Sequence, residues 1–203
     1  MARCCGNARP YDTRRENGGG FRRNNGSSEE TDEIGTYNVM SARGNRLNMA
    51  VRELHRMHIH LAVLTEAKLT VAPYTRSAFG YQITATMAAS PHQGGIALAW
   101  KENDSWHLES PLPHGPNVMS AVMVSGRTKT LIVGVYIPPT SDAEVTTQKV
   151  TEACARYPQL PRIILGDLNS DLRVGPSSEF DAAVASAVAE WGVQDTSTYF
   201  QPR

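Results

Sequence analysis

Polar side chains suited to phosphate chemistry accompany several apolar runs of this chain. Glu66 follows the run LAVLT, and its carboxylate is a hard oxygen donor that suits Mg²⁺. Asp167 follows RIIL and can polarise an attacking water, while Asn38 and Asn169 can hydrogen-bond around a phosphate. Polar residues at the carboxyl ends of buried strands are the usual components of sites in α/β folds. These positions are therefore candidates for one site.

A second feature is the pairing of Asp167 with Asn169, two positions apart. On an extended segment such a pair points to one face, so the two side chains can address one reacting group. Tyr136 precedes Ile137 and two prolines and ends another apolar run, where its hydroxyl can donate to a developing oxyanion. Each residue also has a plainer interpretation: Asp-Leu-Asn is a common turn opener, and tyrosine is usually a packed aromatic with a wet tip.

Two further groups of side chains carry weaker signals. Three histidines form an HxxHxH pattern without cysteine or carboxylate at metal-ligand spacing, which argues against zinc: His55, His58 and His60. Three loop arginines are candidates for phosphate contacts, although solvated arginines are the simpler interpretation: Arg43, Arg46 and Arg76.

Composition bounds the class of protein. The 203 residues carry 20 Lys plus Arg against 20 Asp plus Glu, and 40% are hydrophobic. This predicts one globular domain and argues against a protein that coats nucleic acid, while an enzyme that contacts nucleic acid at one site remains allowed. No apolar run approaches the roughly 20 residues of a membrane span. Without a secretory signal, and with only three cysteines, the expected compartment is intracellular.

Residues 1–33 differ from the rest of the chain. They contain GGG, Asn and Ser pairs and almost no aliphatic side chain, with arginines first and four acidic residues last. Such a segment cannot bury enough surface to offset its ordering entropy, which predicts a disordered leader. Its paired arginines are a weak nuclear-import signal, and a solvated tail is the alternative.

From Ile34 onward the pattern becomes globular. Strand texture is found in the segments IGTYNVM, HLAVLTEAK, YQITATM, GGIALAW, NVMSAVMV, TLIVGVYI and RIILGDLN. SGRTK predicts a hairpin turn between two of them, and Pro138-Pro139 ends a strand. Strands outnumber helices, and helices separate several of them. The pattern favours a layered α/β or α+β fold.

Three helices are predicted from stop and start signals. Asn45 can cap a helix whose stripe comprises Leu47, Val51, Leu54 and His58. Ser141 with Glu144 resembles a capping box for a helix reaching about residue 157. Ser177 or Ser178 can cap a helix from 179 to 191, and Gly192 suits its C-terminal position.

The order and wording of these segments resemble a known family. IGTYNVMS, LAVLTEAKL, GGIALAW, VGVYIPPT and IILGDLNSDL are similar to successive signatures of the endonuclease/exonuclease/phosphatase superfamily, closest to the AP-endonuclease-like domain of non-LTR retrotransposons. The resemblance spans residues 34–203. It implies an α/β (α+β) sandwich of two packed β-sheets flanked by helices, DNase I-like. It also implies a metal-dependent phosphodiester hydrolase that nicks DNA with Mg²⁺, or alternatively Mn²⁺, and a reverse transcriptase encoded downstream.

Residue roles can be carried over from the resemblance. Asn38 matches the Asn that contacts the region of the scissile phosphate, and Glu66 matches the Glu that binds the catalytic metal. Tyr136 matches a Tyr that assists at the phosphate. Asp167 and Asn169 match a pair in which the Asp prepares the nucleophilic water and the Asn contacts the phosphate.

Two departures from the family pattern leave alternatives open. Tyr37 stands where the family usually has Trp, and the closing Asp-His pair is missing, since no histidine follows His114. The resemblance thus implies a domain that is incomplete at its C-terminus, so we expect weak activity from this chain. The alternatives are a catalytically inert truncated remnant, or a phosphatase or phosphodiesterase of the same fold acting on a small phosphoester.

Overall fold

A computed structural model describes residues 3–5, 33–71, 74–101, 105–139, 143–172 and 175–194. Of the predicted leader 1–33, the described residues include Arg3–Cys5, which form a short strand, and Glu33, which begins the next strand. The prediction of disorder for the rest of the leader lies outside the described residues and stays a prediction.

Within the described ranges, ten strands form two sheets, and three helices cover them. The first sheet contains β1 (Arg3–Cys5), β2 (Glu33–Asn38), β3 (Ile59–Thr65), β4 (Tyr74–Ala78), β5 (Tyr81–Ala85) and β6 (Ile96–Trp100). The second contains β7 (His107–Pro113), β8 (Val118–Ser125), β9 (Thr128–Tyr136) and β10 (Arg162–Asp167). The helices are α1 (Arg46–Arg56), α2 (Ala143–Ala155) and α3 (Glu179–Trp191).

The strand order places one parallel βαβ unit in each sheet. The first sheet runs β1-β2-β3-β6-β5-β4, with β2 parallel to β3 and α1 as the crossover. The second runs β10-β9-β8-β7, with β9 parallel to β10 and α2 in the crossover. The carboxyl ends of parallel neighbours lie at one sheet edge, so each unit presents two strand ends there.

The core has three layers, which explains why the strand segments are so apolar. Between the sheets, buried side chains of both interdigitate, among them Val63, Ile96 and Met119. Helix α1 covers the outer face of the first sheet with its buried stripe, and α2 and α3 cover the second sheet. The predicted fold class, two packed sheets flanked by helices, is confirmed.

The first predicted helix differs in detail from the structure. Asn45 precedes α1, but its side chain makes no capping hydrogen bond to the helix backbone. His58 does not belong to the buried stripe, because the helix ends at Arg56 and His58 is exposed at φ 57°. Ala50 completes the stripe instead, beside Leu47, Val51 and Leu54.

The other two helices follow the predictions more closely. Helix α2 ends at Ala155, close to the expected position, while its predicted cap at 140–142 lies outside the described residues. Helix α3 has the predicted bounds. The Ser178 hydroxyl accepts a hydrogen bond from the Asp181 amide, and Gly192 ends the helix at φ 66°.

Strands β1, β4 and β7 were not predicted from the sequence, and β1 lies within the predicted disordered leader. Strand β7 contains Pro111 and Pro113, and its register shifts between Glu109 and Leu112. Proline cannot donate to a ladder, so it is tolerated here only because β7 is an edge strand with an irregularity. In the described part of the chain, no helix combines the length and apolar character that a membrane span requires.

Candidate functional site

The candidate site lies where the carboxyl ends of four strands meet. Asn38 ends β2, Glu66 directly follows β3, Tyr136 ends β9, and Asp167 ends β10. The structure brings these side chains together across the two sheets. Glu66 and Asp167 lie close enough to Tyr136 that both carboxylates raise the pKa of its hydroxyl. The two βαβ units therefore contribute two residues each.

Glu66 is the centre of this cluster. Its Oε1 accepts a hydrogen bond from Asn38 Nδ2 at 2.9 Å, and its Oε2 lies 2.8 Å from Lys68 Nζ. Burial raises the pKa of Glu66, but the bonds from Lys68, Asn38 and Tyr136 outweigh it, so the pKa is lowered overall. Glu66 is thus an ionised, half-buried carboxylate at neutral pH.

The backbone after β3 explains this orientation. Glu66 and Lys68 both adopt left-handed conformations, at φ 55° and 53°, with Ala67 between them. The turn is fixed by hydrogen bonds from the amides of Ala67 and Lys68 to the carbonyls of Gly95 and Gly94, at 2.9 and 3.0 Å. A Cβ at Gly95 would lie 3.1 Å from the Lys68 nitrogen, so the close approach favours glycine.

Tyr136 contributes a hydroxyl that stays protonated. Its side chain is buried, and burial together with the charges of Glu66 and Asp167 raises the pKa of Tyr136 to about 12. Its amide donates to the Asn117 carbonyl at 2.9 Å, which fixes the end of β9. At neutral pH this residue can only act as a neutral hydrogen-bond donor or acceptor.

Asp167 and Asn169 come together by a turn rather than as an extended pair. Strand β10 ends at Asp167, and Asn169 is left-handed at φ 51°. The Asn169 amide donates to Asp167 Oδ1 at 3.1 Å, and Asn169 Nδ2 donates to the Ile137 carbonyl at 2.9 Å. The expected geometry of two side chains on one face of a strand is therefore wrong, although both residues border the same cluster.

Gly166 explains how β10 reaches the site. It has φ 155°, and a Cβ there would lie only 1.7 Å from the Val135 carbonyl oxygen. The backbones of the parallel neighbours β9 and β10 are therefore so close at Gly166 that any residue with a Cβ would clash there. This approach sets Asp167 opposite Tyr136 in the ladder register.

Of the arginines and histidines singled out in the sequence, only Arg43 has a described contact with a residue of the site. Arg43 lies beside the site, since its Nε donates to the Lys68 carbonyl at 3.1 Å. Arg46 and Arg76 are exposed and have no described contact with the cluster. His55 is exposed on α1, and His58 is exposed just after the end of that helix. Among the described residues, no group of three or more His, Cys, Asp or Glu side chains could hold a metal ion.

Two residues of the site were missed by the sequence reasoning. Lys68 pairs with Glu66, and the only sequence signal is a cation two positions after a strand-ending acid. Asn117 accepts from the Gly95 amide through Oδ1 at 3.1 Å, and its carbonyl accepts from Tyr136. The only sequence signal for Asn117 is the Gly115-Pro116 pair before it, which is typical of a loop and does not point to these partners.

The donor set fits one kind of metal ion. Glu66 offers an ionised carboxylate, and Asp167 supplies a second acidic side chain across the cluster. Mg²⁺ is commonly held by one or two carboxylates, with waters and substrate phosphate completing its shell. Zinc normally requires three or four protein ligands, which the described residues do not assemble. The residues present therefore fit Mg²⁺ or Mn²⁺.

No protein-family model and no curated protein matches the chain. Solved structures do. The endonuclease domain of TRAS1, a telomere-specific non-LTR retrotransposon, is similar with a TM-score of 0.56 and 14% identity, covering 75% of this chain and 68% of that one. A functionally unknown conserved protein from Enterococcus faecalis V583 gives 0.52 and 12%, covering 75% and 71%. An endonuclease/exonuclease/phosphatase family protein from Bacteroides thetaiotaomicron gives 0.51 and 12%, covering 75% and 67%.

Identities of 12 to 14% establish the fold alone. The chain has the α/β sandwich seen in these endonuclease/exonuclease/phosphatase structures, and the resemblance predicted from the sequence motifs is confirmed at that level. Function has to be argued from the residues of the site.

Proposed function

We propose that the chain is a metal-dependent phosphodiester hydrolase, a DNA endonuclease of the retrotransposon type. The observation that carries the proposal is the ionised Glu66, held by Asn38, Lys68 and Tyr136 at the edge where Asp167 also ends its strand. Four strand ends that present two acids, an amide and a protonated hydroxyl are suited to phosphoryl chemistry.

The proposed metal is Mg²⁺, with Mn²⁺ as an alternative. Glu66 would hold it, because its carboxylate is ionised and faces the cluster. When bound, the ion neutralises charge on the substrate phosphate. Lys68 forms an ion pair with the same Glu66 carboxylate and places a positive charge beside it.

Asp167 is the proposed general base. One of its oxygens accepts the Asn169 amide, which fixes the carboxylate, and the other can accept a proton from water. The water oxygen then bonds to phosphorus as the P–O3′ bond breaks, leaving a 5′-phosphate and a 3′-oxygen that takes up a proton from solvent, while Asp167 returns its proton to solvent. A free 3′-hydroxyl is the end that a reverse transcriptase encoded downstream would extend.

Neutral donors would stabilise the charge that develops on the phosphate. Tyr136 keeps its proton at neutral pH because its pKa is raised to about 12. Asn38 and Asn169 each use one amide N–H internally, and the second N–H of each can donate to a phosphate oxygen. Such preorganised donors are effective because they need no reorganisation during reaction.

The test is nicking of supercoiled plasmid DNA with Mg²⁺. Glu66→Gln and Asp167→Asn should each lower the rate by about 10² or more, since metal binding and base catalysis are lost. Glu109→Gln is the control, because this exposed acid pairs with Lys129 on the far hairpin. Equal nicking by all proteins would reject the assigned roles. Sugar and lipid phosphates assayed in parallel test the alternative of a small phosphoester substrate.

A second candidate is an inert remnant of such an enzyme. The described contacts of Glu66, Tyr136 and Asp167 include no histidine, whereas the resemblance implies a histidine at the centre. Multiple turnovers with Mg²⁺, abolished by Glu66→Gln, would reject this candidate. Binding of DNA without any turnover would favour it.

A further inference from the structure

A cavity of about 300 Å³ lies at the same end of the second sheet as the candidate site. It is open to solvent on one side and is bounded by the turn between β7 and β8 and by the first part of α2. Its walls include Pro116, Val118 and Val145, with His114, Thr146 and Lys149 as polar groups. A cavity of this size with mostly apolar walls and a few polar groups is suited to a mostly apolar, uncharged ligand group.

The turn at 114–117 is rigidly built and connects the cavity to the site. The His114 amide donates to the Val118 carbonyl at 2.9 Å, and Gly115 has φ 142°. Thr86 donates its hydroxyl to the Pro116 carbonyl, and Asn117 Oδ1 accepts from Gly95, so the turn is bonded to the first sheet as well. The cavity is therefore preformed rather than a gap between loosely held segments.

His114 is a neutral group in the wall. Burial lowers its pKa, supported by the positive charges of Arg156 and Lys149 and opposed by Glu152. Its Nε2 lies 2.7 Å from the Ser120 hydroxyl, so the ring orientation is fixed. The second ring nitrogen can hydrogen-bond to a ligand edge.

The rim of the cavity has the charge and the apolar surface that a nucleotide needs. Lys149 lines the cavity, and its ammonium is held by Glu152 at 2.8 Å on the exposed side of α2. Val145 is 59% exposed although it lines an apolar wall, so a ligand ring would cover it. A nucleotide has a base that could cover Val145 and a phosphate that could contact the Lys149 ammonium.

We propose that this cavity binds an unstacked nucleobase of the strand that the enzyme cleaves, with Lys149 contacting the adjoining phosphate. The strand as ligand rests on the proposed endonuclease function. Asn117 connects the two places, because its carbonyl accepts from Tyr136 at the candidate site while the residue itself lines the cavity. A bound base would thus be anchored one strand away from the scissile phosphate.

The test is binding of a single-stranded oligonucleotide to the full chain without divalent cation, so that no cleavage is needed. The base is removed at one position after another, which leaves every phosphate in place. We expect roughly fivefold or greater weakening at one position, because only that abasic oligonucleotide lacks the apolar surface that a base would bury against Pro116 and Val145. Val145→Ser should remove this discrimination, and Met49→Ser, an exposed methionine on α1, should keep it. Equal binding of all abasic oligonucleotides, or full discrimination in Val145→Ser, would overturn the proposal.

A second measurement addresses the phosphate contact. Lys149→Gln should reduce the slope of log affinity against log salt by about one, while Lys129→Gln on the far hairpin should leave it unchanged. An unchanged slope in Lys149→Gln would overturn the assigned role of Lys149. These binding results are independent of turnover. Normal nicking by Glu66→Gln would therefore reject the role assigned to Glu66 but would leave the proposed base binding in the cavity untouched, whereas absence of nicking by the native chain would count against the endonuclease function.

Discussion

The Lys68 ammonium lies 2.8 Å from Glu66 Oε2, and both residues are held in left-handed backbone conformations. The pair is mostly buried, with side-chain exposures of 18% and 22%, so solvent screens it only in part. An internal cation therefore occupies one face of the carboxylate that we propose as the metal ligand. The balance between this ammonium and a divalent ion is the central electrostatic property of the site.

Removing Lys68 should make the site bind Mg²⁺ more readily. In Lys68→Gln the competing ammonium is gone, and we expect the Mg²⁺ concentration for half-saturation to fall roughly two- to fivefold, as for loss of a modest ion pair. Isothermal titration measures this directly. Lys129→Gln, whose partner is the exposed Glu109, should leave it unchanged. Weaker Mg²⁺ binding in Lys68→Gln would show that Lys68 orders the carboxylate rather than competing for it.

Glu66 should make stability depend on pH. Its folded pKa is lowered, so its charged form stabilises the fold above the unfolded pKa, and this contribution is lost as pH falls through the folded pKa. The difference in the free energy of unfolding between the native chain and Glu66→Gln should therefore shrink from about pH 7 to about pH 3. Denaturant titrations at several pH values measure it. A difference that grows on acidification would contradict the lowered pKa.

The Tyr136 hydroxyl should matter for rate rather than for folding. Tyr136→Phe keeps the buried ring, so we expect plasmid nicking to fall about tenfold or more with a small change in melting temperature. Because the pKa is raised to about 12, native activity should not decline with an ordinary tyrosine titration near pH 10. Tyr81→Phe is the matched control, since its hydroxyl donates to the Ile59 carbonyl away from the site and its pKa is also raised to about 12. This variant should lose stability but not activity.

Gly166→Ala should destabilise the fold strongly. The added Cβ would lie 1.7 Å from the Val135 carbonyl oxygen at φ 155°, so the β9–β10 ladder has to shift. We expect a loss of about 3 kcal/mol or more in the free energy of unfolding. At Gly175 a Cβ meets nothing within 4 Å, so Gly175→Ala should change stability by less than about 1 kcal/mol. Similar denaturation midpoints for the two variants would contradict this account of Gly166.

The sequence predicted the parts of the structure that local chemistry determines. Helix α3 was placed correctly because Ser178 and Gly192 act on neighbouring backbone groups. The sequence pointed to Asn38, Glu66 and Asp167 because each polar side chain stands at the end of an apolar strand, which is visible locally. The fold then brings these strand ends together. Their proposed chemical roles stay predictions.

Other features depend on tertiary context that no window of sequence contains. Strand β7 was missed because two prolines and a register shift hide its pattern, and only its edge position tolerates them. The pairing of Lys68 with Glu66 depends on left-handed backbone at both residues, which Gly94 and Gly95 stabilise from another segment. The pairing of Asn169 with Ile137 likewise depends on where β9 ends beside β10.

The two parallel βαβ units have a consequence for the dynamics of the site. Asn38 and Glu66 belong to one sheet, while Tyr136 and Asp167 belong to the other. The cluster is thus a property of the interface between two halves, comparable to an active site shared between subunits. A small sliding of one sheet over the other would separate the acids without unfolding either sheet. The close packing at Gly134, where a Cβ would lie 3.1 Å from Val63, resists such sliding and keeps the two sheets in register.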